Sequence, residues 1–139
     1  MLAITFVFLI ATYCIFRLPH TKDKYIIAFN EDWIEQANPM EIQITCFHES
    51  GHAFQWKIIL DEYLGTERIN PVIVQKWKDE MNNYNQPTKK DVPEEGYLMQ
   101  EIEIDAIAFA HKMMLEHFGV KTVIPSLIMK TVEKMLLIK

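Results

Sequence analysis

The chain has 139 residues, of which 50% are hydrophobic and 24% are charged, so a single folded domain over residues 1–139 is expected. The net charge of −5 at pH 7 argues against nucleic-acid binding, because a nucleic-acid partner requires a basic protein surface. The two cysteines, Cys14 and Cys46, are too few for a disulfide framework, which fits a cytoplasmic protein.

The N-terminal segment, residues 1–16, carries no charged side chain. It is shorter than the roughly 20 residues that a helix needs to span a bilayer. It is also rich in β-branched and aromatic residues, which favour a strand over a helix. We therefore expect a buried strand here, a turn near Pro19, and a second strand over residues 24–29. The alternative is a membrane anchor formed by residues 1–16.

The clearest helix start in the sequence is at Asn38. Asn38 can accept hydrogen bonds from the first backbone N–H groups of a helix, and Pro39 suits the first helical position. Glu41 follows within the first turn, where a carboxylate complements the helix dipole. Since no helix breaker occurs before Gly65, the sequence predicts a helix at about residues 39–64.

The remaining elements are also predicted to be helical. A short helix or irregular connection is expected at residues 30–37, and a helix from Asn70-Pro71 to about Asn83. A loop over residues 84–93 precedes a long helix that begins near Glu94 or Tyr97 and ends before Gly119. An amphipathic helix at about residues 125–137 closes the chain. The predicted fold class is α+β, mostly helical, with a small N-terminal β-sheet.

The predicted helix at 39–64 contains the pattern His-Glu-x-x-His, formed by His48, Glu49 and His52. Two histidines four residues apart project from one helix face, so both imidazoles can reach a single ion. Glu49 would lie beside that ion and could take a proton from a water whose pKa zinc lowers to about 7. The pattern predicts a zinc site with Glu49 as general base. The alternative is a helix with two half-buried histidines and a solvated glutamate.

A third ligand is expected from the next long helix. Glu101 and Asp105 lie four residues apart and would share one helix face. Glu101 could bind the metal while Asp105 accepts the outer N–H of a ligand histidine. His111 and His117 could also be the third ligand, but no carboxylate accompanies them at helical spacing. The alternative is that Glu101, Glu103 and Asp105 form a solvated edge of a buried helix.

If such a metal site hydrolyses an acyl bond, it also needs a donor that stabilises the oxyanion of the tetrahedral intermediate. Tyr97 lies one helical turn before Glu101 and is the first candidate for this donor. His111 and Tyr63 are further candidates. None of the three has a spacing that requires the role, and packed or surface residues are the alternative for each of them.

The two motifs, His-Glu-Ser-Gly-His at 48–52 and Glu-x-x-x-Asp-Ala at 101–106, resemble the gluzincin arrangement of zinc metallopeptidases. Within that clan, the small cytosolic ImmA/IrrE-type domains are nearest in size and layout. The resemblance implies a zincin-like domain with a small sheet, the His-Glu-x-x-His helix and a later glutamate helix. It implies His48, His52 and Glu101 as zinc ligands, Glu49 as base and Asp105 as their support. At 103–105 this chain has Glu-Ile-Asp, where those domains often carry Glu-Ala-Asn or Glu-Ala-Asp.

The function expected from these features is zinc-dependent hydrolysis of a peptide bond in a peptide or protein substrate. The alternative is a catalytically silent zincin-like module that binds or regulates a partner and uses zinc structurally. Glu49 favours the enzyme, because a structural zinc site needs no base and usually has four protein ligands. The resemblance to ImmA/IrrE-type domains implies a regulatory protease of narrow specificity.

Overall fold

The computed structural model describes residues 12–17, 25–61, 69–86 and 94–137, and over these residues the protein is mostly helical. The elements in chain order are two strands, β1 (Thr12–Arg17) and β2 (Tyr25–Phe29), and six helices: α1 (Glu31–Gln36), α2 (Pro39–Asp61), α3 (Pro71–Asn82), α4 (Glu95–Leu98), α5 (Glu101–Phe118) and α6 (Met129–Leu137).

The two strands pair in an antiparallel arrangement. Cys14 lies opposite Ala28 and Phe16 opposite Ile26, with an irregularity in the register next to Thr12. The strand predicted over residues 1–16 is thus present from Thr12 onward, and residues 1–11 lie outside the described part of the chain. None of the described helices is both long enough and apolar enough to cross a membrane.

Helix α2 begins where the sequence predicts, because the residues at its start form a reciprocal cap. Oδ1 of Asn38 accepts hydrogen bonds from the backbone N–H groups of Met40 and Glu41, both at 3.0 Å. In return, the backbone N–H of Asn38 donates to Oε2 of Glu41 at 3.0 Å. These bonds satisfy donors that the first turn of a helix leaves without a partner. The helix is described as far as Asp61, and its predicted end at Gly65 lies outside the described residues.

The long helix predicted to begin near Glu94 or Tyr97 is divided into α4 and α5. Gln100 has an extended backbone (φ −70°, ψ 131°), and this conformation separates the short α4 from α5. The predicted end before Gly119 is confirmed, since Gly119 adopts the left-handed conformation (φ 65°) that commonly terminates a helix. The last helix starts at Met129, later than predicted, because a turn over 126–128 precedes it.

Helix α5 is the central element of the fold and contacts α2, α3, α4 and α6. The larger apolar core consists of buried side chains mainly on α2, α5 and α6, including Ile44, Ile107, Met114, Ile128 and Val132. A smaller cluster joins α2, α3 and α5 through Ile58, Trp77 and Ile102. The polar site lies where α2 packs against the first half of α5.

A glycine allows these two helices to approach each other closely at that place. A Cβ atom on Gly51 would lie only 3.3 Å from Cα of Ala106 and 3.4 Å from its Cβ. Ala106 is fully buried, so neither side of this contact has room for a larger residue. Gly51 lies between His48 and His52 on α2, and Ala106 lies one turn after Glu103 on α5. The close approach therefore brings the two histidines against Glu103.

Candidate metal centre

The two histidines of the His-Glu-x-x-His pattern and one carboxylate converge in the protein interior. Nε2 of His48 lies 2.9 Å from Nε2 of His52. Oε1 of Glu103 lies 3.2 Å from Nε2 of His52, and Oε2 lies 3.4 Å from Nε2 of His48. The side chains of His48 and Glu103 are 1% and 0% exposed, and that of His52 is 13% exposed. These three residues form a buried group that could hold a metal ion.

The carboxylate that lies beside the histidines is Glu103 and not Glu101, the third ligand expected from the sequence. Nζ of Lys76 on α3 donates a hydrogen bond to Oε1 of Glu101 at 3.0 Å. This ion pair is at the surface, where the two side chains are 55% and 37% exposed. Two residues along a helix correspond to a rotation of roughly 200°. Glu101 and Glu103 therefore leave α5 on nearly opposite sides, and only Glu103 reaches the histidines.

The sequence contains a signal for Glu103 that the spacing argument overlooked. Glu103, Ala106, Ile107 and Ala110 follow one another at helical spacing, and each is 0% exposed. A glutamate thus occupies a position of the buried apolar stripe of α5. Burying a carboxylate without a partner is costly, so a charged residue in such a stripe indicates a site. Glu101 and Asp105, the pair expected from the sequence to face the metal, lie on the side of α5 next to that stripe and not within it.

The charges within the group stabilise one another against burial. Burial by itself raises the pKa of Glu103, but the charges and hydrogen bonds of His52 and His48 together outweigh burial and hold the pKa well below the usual range of a glutamate. Burial by itself lowers the pKa of His52, but the charge and hydrogen bond of Glu103, the charge of Glu49 and the hydrogen bond with Gln55 together raise it to about 9. Glu103 is therefore a buried carboxylate that is ionised, which is the form that binds a cation.

A glutamine fixes the orientation of His52. Nε2 of Gln55 donates hydrogen bonds to the backbone carbonyl of Ile102 (2.9 Å) and to Oδ2 of Asp105 (3.0 Å). Because a backbone carbonyl can only accept, the amide oxygen of Gln55 must face His52 and accept from its Nδ1–H, at 2.8 Å. This bond leaves Nε2 of His52 as the ring nitrogen that can bind a metal.

Asp105 therefore supports the histidine through Gln55 and does not contact it as expected from the sequence. The predicted direct bond between Asp105 and a ligand histidine is replaced by a relay from Asp105 to Gln55 to His52. Burial raises the pKa of Asp105, and the hydrogen bond from Gln55 partly opposes this increase. Sequence reasoning missed Gln55, although it lies three residues after His52 and thus on the same side of α2.

Two tyrosines lie next to Glu103. The hydroxyl of Tyr84 donates a hydrogen bond to Oε1 of Glu103 at 2.5 Å. The ring of Tyr84 packs edge-to-face on the ring of Tyr97, with centroids 6.2 Å apart. Burial and the charge of Glu103 raise the pKa of both phenols. Tyr97, expected as an oxyanion donor, is buried beside Glu103. Tyr84 was not anticipated, because it follows α3 in a segment without periodicity.

Glu49, the expected base, is also a buried residue of this region. It is 7% exposed and lies between the two histidines in the sequence of α2. Its negative charge contributes to the raised pKa of His52 and to that of Tyr84. Glu49 is therefore close enough to the histidine and to the tyrosine to influence both electrostatically.

The other candidate residues from the sequence lie elsewhere or outside the described residues. His111 is buried on the second half of α5, where its Nδ1 is 2.7 Å from Oγ1 of Thr122. His117 is exposed and stacks on Phe47, with ring centroids 6.1 Å apart. Tyr63 is outside the described part of the chain. Neither of the two described histidines belongs to the group that could hold a metal.

Comparison of the chain with protein-family models, with curated proteins and with solved structures finds no match. The residues of the site itself therefore provide the grounds for a functional proposal.

Proposed function

We propose that the protein is a zinc-dependent peptidase in which His48, His52 and Glu103 bind zinc and Glu49 is the general base. The observation that carries the proposal is the convergence of two Nε2 atoms and one carboxylate in a buried group. The sequence motif supplies the base next to this group. The substrate would be a peptide or protein, since His-Glu-x-x-His sites on helices perform metal-assisted peptide hydrolysis.

The distances between the three ligands support zinc as the metal. Zinc binds histidine nitrogen and carboxylate oxygen at about 2.0–2.1 Å in a tetrahedron, so two ligand atoms are separated by roughly 3.3–3.4 Å. The distances here are 2.9 Å between the two Nε2 atoms and 3.2 and 3.4 Å from these atoms to the Glu103 oxygens. The two nitrogens and the Glu103 carboxylate therefore lie close enough to share one ion, and binding would require a small adjustment because the two N–O distances involve different oxygens.

The number of protein ligands supports a catalytic site over a structural one. Structural zinc sites usually have four protein ligands, whereas catalytic sites have three and leave the fourth position for water or substrate. Among the described residues, only His48, His52 and Glu103 form such a group. The set of two histidines and one glutamate is also that of known zinc peptidases. A purely structural site would not need Glu49.

The chain's own residues would divide the chemistry as follows. When bound, zinc supplies Lewis acidity that polarises a peptide carbonyl and lowers the pKa of a water to about 7. Glu49 takes the proton from that water and passes it to the leaving amine nitrogen. Gln55 keeps Nδ1 of His52 protonated so that Nε2 faces the ion. The buried surroundings exclude bulk water and strengthen each of these electrostatic interactions.

The proposal includes a zincin-like fold of the gluzincin type, modified in one residue from the sequence-based expectation. Its support is the packing of α2, which carries His-Glu-x-x-His, against α5, which carries the glutamate. The third ligand is Glu103, the first residue of the Glu-Ile-Asp segment at which this chain departs from the ImmA/IrrE-type domains, whereas the resemblance implies Glu101. Narrow regulatory specificity remains part of this proposal and follows from that resemblance alone.

The test is cleavage of a mixed peptide library by the zinc-loaded protein, followed by mass spectrometry. Wild type is expected to generate new peptide ends, and Glu49→Gln is expected to lose at least a hundredfold in rate while retaining zinc. Glu116→Gln removes an exposed carboxylate of α5 and is the matched control with unchanged rate. Equal cleavage by wild type and Glu49→Gln would reject Glu49 as the base. A zinc-loaded wild type that cleaves no peptide would favour the catalytically silent module.

A further inference from the structure

The two carboxylate oxygens of Glu103 have different surroundings. Oε1 accepts a hydrogen bond from the hydroxyl of Tyr84 at 2.5 Å. Oε2 is buried, and none of the described residues donates a hydrogen bond to it. Nε2 of His48, which forms an ion pair with this oxygen, lies 3.4 Å from Oε2. Since buried oxygens are nearly always satisfied, Oε2 is the oxygen that the fold leaves for another partner.

Tyr84 is held at Glu103 by a side-chain amide that binds the next residue in the chain. Oε1 of Gln100 accepts from the backbone N–H of Asn85 at 2.9 Å, and Nε2 of Gln100 donates to the carbonyl of Asn85 at 3.2 Å. Gln100 thus binds both backbone groups of Asn85, as a neighbouring strand would. The segment that carries Tyr84 is therefore attached directly to the start of α5, three residues before Glu103.

The start of α5 is capped in a way that leaves the Gln100 side chain free to bind Asn85. Gln100 occupies the N-cap position, but its side chain makes no capping bond because it binds Asn85 instead. Glu80 on α3 supplies the missing cap, since its Oε1 and Oε2 accept from the backbone N–H groups of Glu101 (3.0 Å) and Ile102 (2.9 Å). Two side chains therefore link α3 and the Tyr84 segment to the helix that carries Glu103.

We propose that Tyr84 is a positioning residue that occupies Oε1 of Glu103 and so presents Oε2 alone to the metal. This inference rests on the metal site of the proposed function. A glutamate that binds zinc through both oxygens would fill the coordination position that a catalytic site keeps open. By holding Oε1, the Tyr84 hydroxyl limits Glu103 to one metal bond and leaves that position for water or substrate.

Cobalt substitution combined with Tyr84→Phe tests this role, because the visible absorption of Co²⁺ reports its coordination geometry. Wild type with Co²⁺ is expected to absorb strongly, as a four-coordinate ion does. Tyr84→Phe is expected to absorb more weakly, since Glu103 is free to bind through both oxygens. The zinc dissociation constant of Tyr84→Phe, measured by chelator competition, is expected to rise roughly tenfold to hundredfold.

Thr122→Val is the matched control, because it removes the hydroxyl of a buried residue that follows α5 and contacts the second half of this helix. Thr122 lies against His111, far along the helix from Glu103. This variant is expected to lose some stability while it retains the cobalt spectrum and zinc affinity of wild type. A Tyr84→Phe protein that is only less stable, with an unchanged spectrum, would show a purely structural tyrosine and overturn the inference.

A second variant covers the case in which Tyr84→Phe does not fold. Gln100→Leu releases Asn85 without changing Tyr84 and is expected to alter the spectrum in the same direction, by a smaller amount. A weak, five-coordinate type of spectrum in wild type would also overturn the inference, with no variant needed. If wild type binds neither Co²⁺ nor Zn²⁺, the proposed function itself fails. If wild type binds both and the variants match it, only the role of Tyr84 fails.

Discussion

The two halves of helix α5 both bury a titratable residue, but they satisfy it in different ways. In the second half, the buried His111 is held by one hydroxyl, that of Thr122. In the first half, Glu103 is surrounded by two imidazoles and a phenol. One neutral hydrogen bond is enough to satisfy a buried structural histidine. The cluster of ionisable side chains around Glu103 contains more charged and polar groups than are needed to stabilise the fold.

This difference separates a packed histidine from a site. The pKa of His111 is lowered by burial and by the charge of Lys121, so this residue is neutral in the fold. The pKa of His52 is raised to about 9, since the charges of Glu103 and Glu49 and the hydrogen bonds of His52 together outweigh burial. A fold gains little stability by burying opposite charges, because desolvation offsets their attraction. We interpret the first half of α5 as organised for function and the second half for stability.

The largest expected difference between the halves is the effect of removing one histidine from the metal-free protein. His52→Leu leaves the charge of Glu103 buried with one fewer cationic partner and is expected to cost about 3 kcal/mol of unfolding free energy. His111→Leu removes a neutral hydrogen bond and is expected to cost about 1 kcal/mol. Urea unfolding in the presence of a chelator measures both. Equal costs would remove the distinction between the two halves.

The close approach of α2 and α5 predicts that a single methyl group at Gly51 will disturb the site. The new Cβ of Gly51→Ala would meet the buried backbone of Ala106 at 3.3 Å, so the helices must separate. Relative to Gly96→Ala, whose new Cβ meets nothing within 4 Å, we expect a loss of about 1–2 kcal/mol. Thermal unfolding measures the stability, and chelator competition measures the accompanying loss of zinc affinity. A Gly51→Ala protein as stable as Gly96→Ala would argue against a tight crossing.

Replacing Gln55 tests how His52 is oriented. Gln55→Met removes the acceptor from Nδ1 of His52 and is expected to weaken zinc binding roughly tenfold to hundredfold. Asp105→Asn is expected to have a smaller effect, since the carbonyl of Ile102 still holds the Gln55 amide. Measuring the zinc affinities of the two variants shows which substitution weakens binding more. A larger effect of Asp105→Asn would indicate that Asp105 contacts the histidine directly, as the sequence had suggested.

The smallest effect is a pH dependence of stability that arises in the second half of α5. The pKa of His111 is lowered in the folded protein, so the unfolded chain binds more protons as the pH falls below about 6.5. The contribution of His111 to the free energy of unfolding is therefore complete above this pH, and it is lost as the pH falls toward the pKa of His111 in the folded protein. His111→Gln should show a shallower decrease of stability than wild type between pH 7 and 5. Urea titrations across this range measure it, and parallel curves would contradict the account.

The features that depend on local sequence were predictable. The start of α2 follows from Asn38, Pro39 and Glu41, whose capping chemistry requires no tertiary contact. The end of α5 follows from Gly119 in the same way. The proximity of His48 and His52 follows from helix geometry once the helix is placed.

The features that depend on how the helices pack were not predictable from spacing alone. Glu101 and Glu103 are equally compatible with a ligand role until the rotation of α5 against α2 is known. Tyr84 reaches the site because Gln100 binds Asn85, a long-range contact without a periodic pattern. The predicted long helix is divided at Gln100, the residue whose side chain makes this tertiary bond. Spacing thus identified the histidines, and packing selected the carboxylate.

The most direct test of the account is the zinc stoichiometry of wild type, Glu103→Gln and Glu101→Gln after dialysis against a limiting concentration of zinc. Both variants make the same chemical change on the same helix, two residues apart. We predict about one zinc ion per chain in wild type and in Glu101→Gln, and a strongly reduced content in Glu103→Gln. A wild type without zinc, or a Glu103→Gln protein with its full content, would contradict the assignment of His48, His52 and Glu103 as the metal centre.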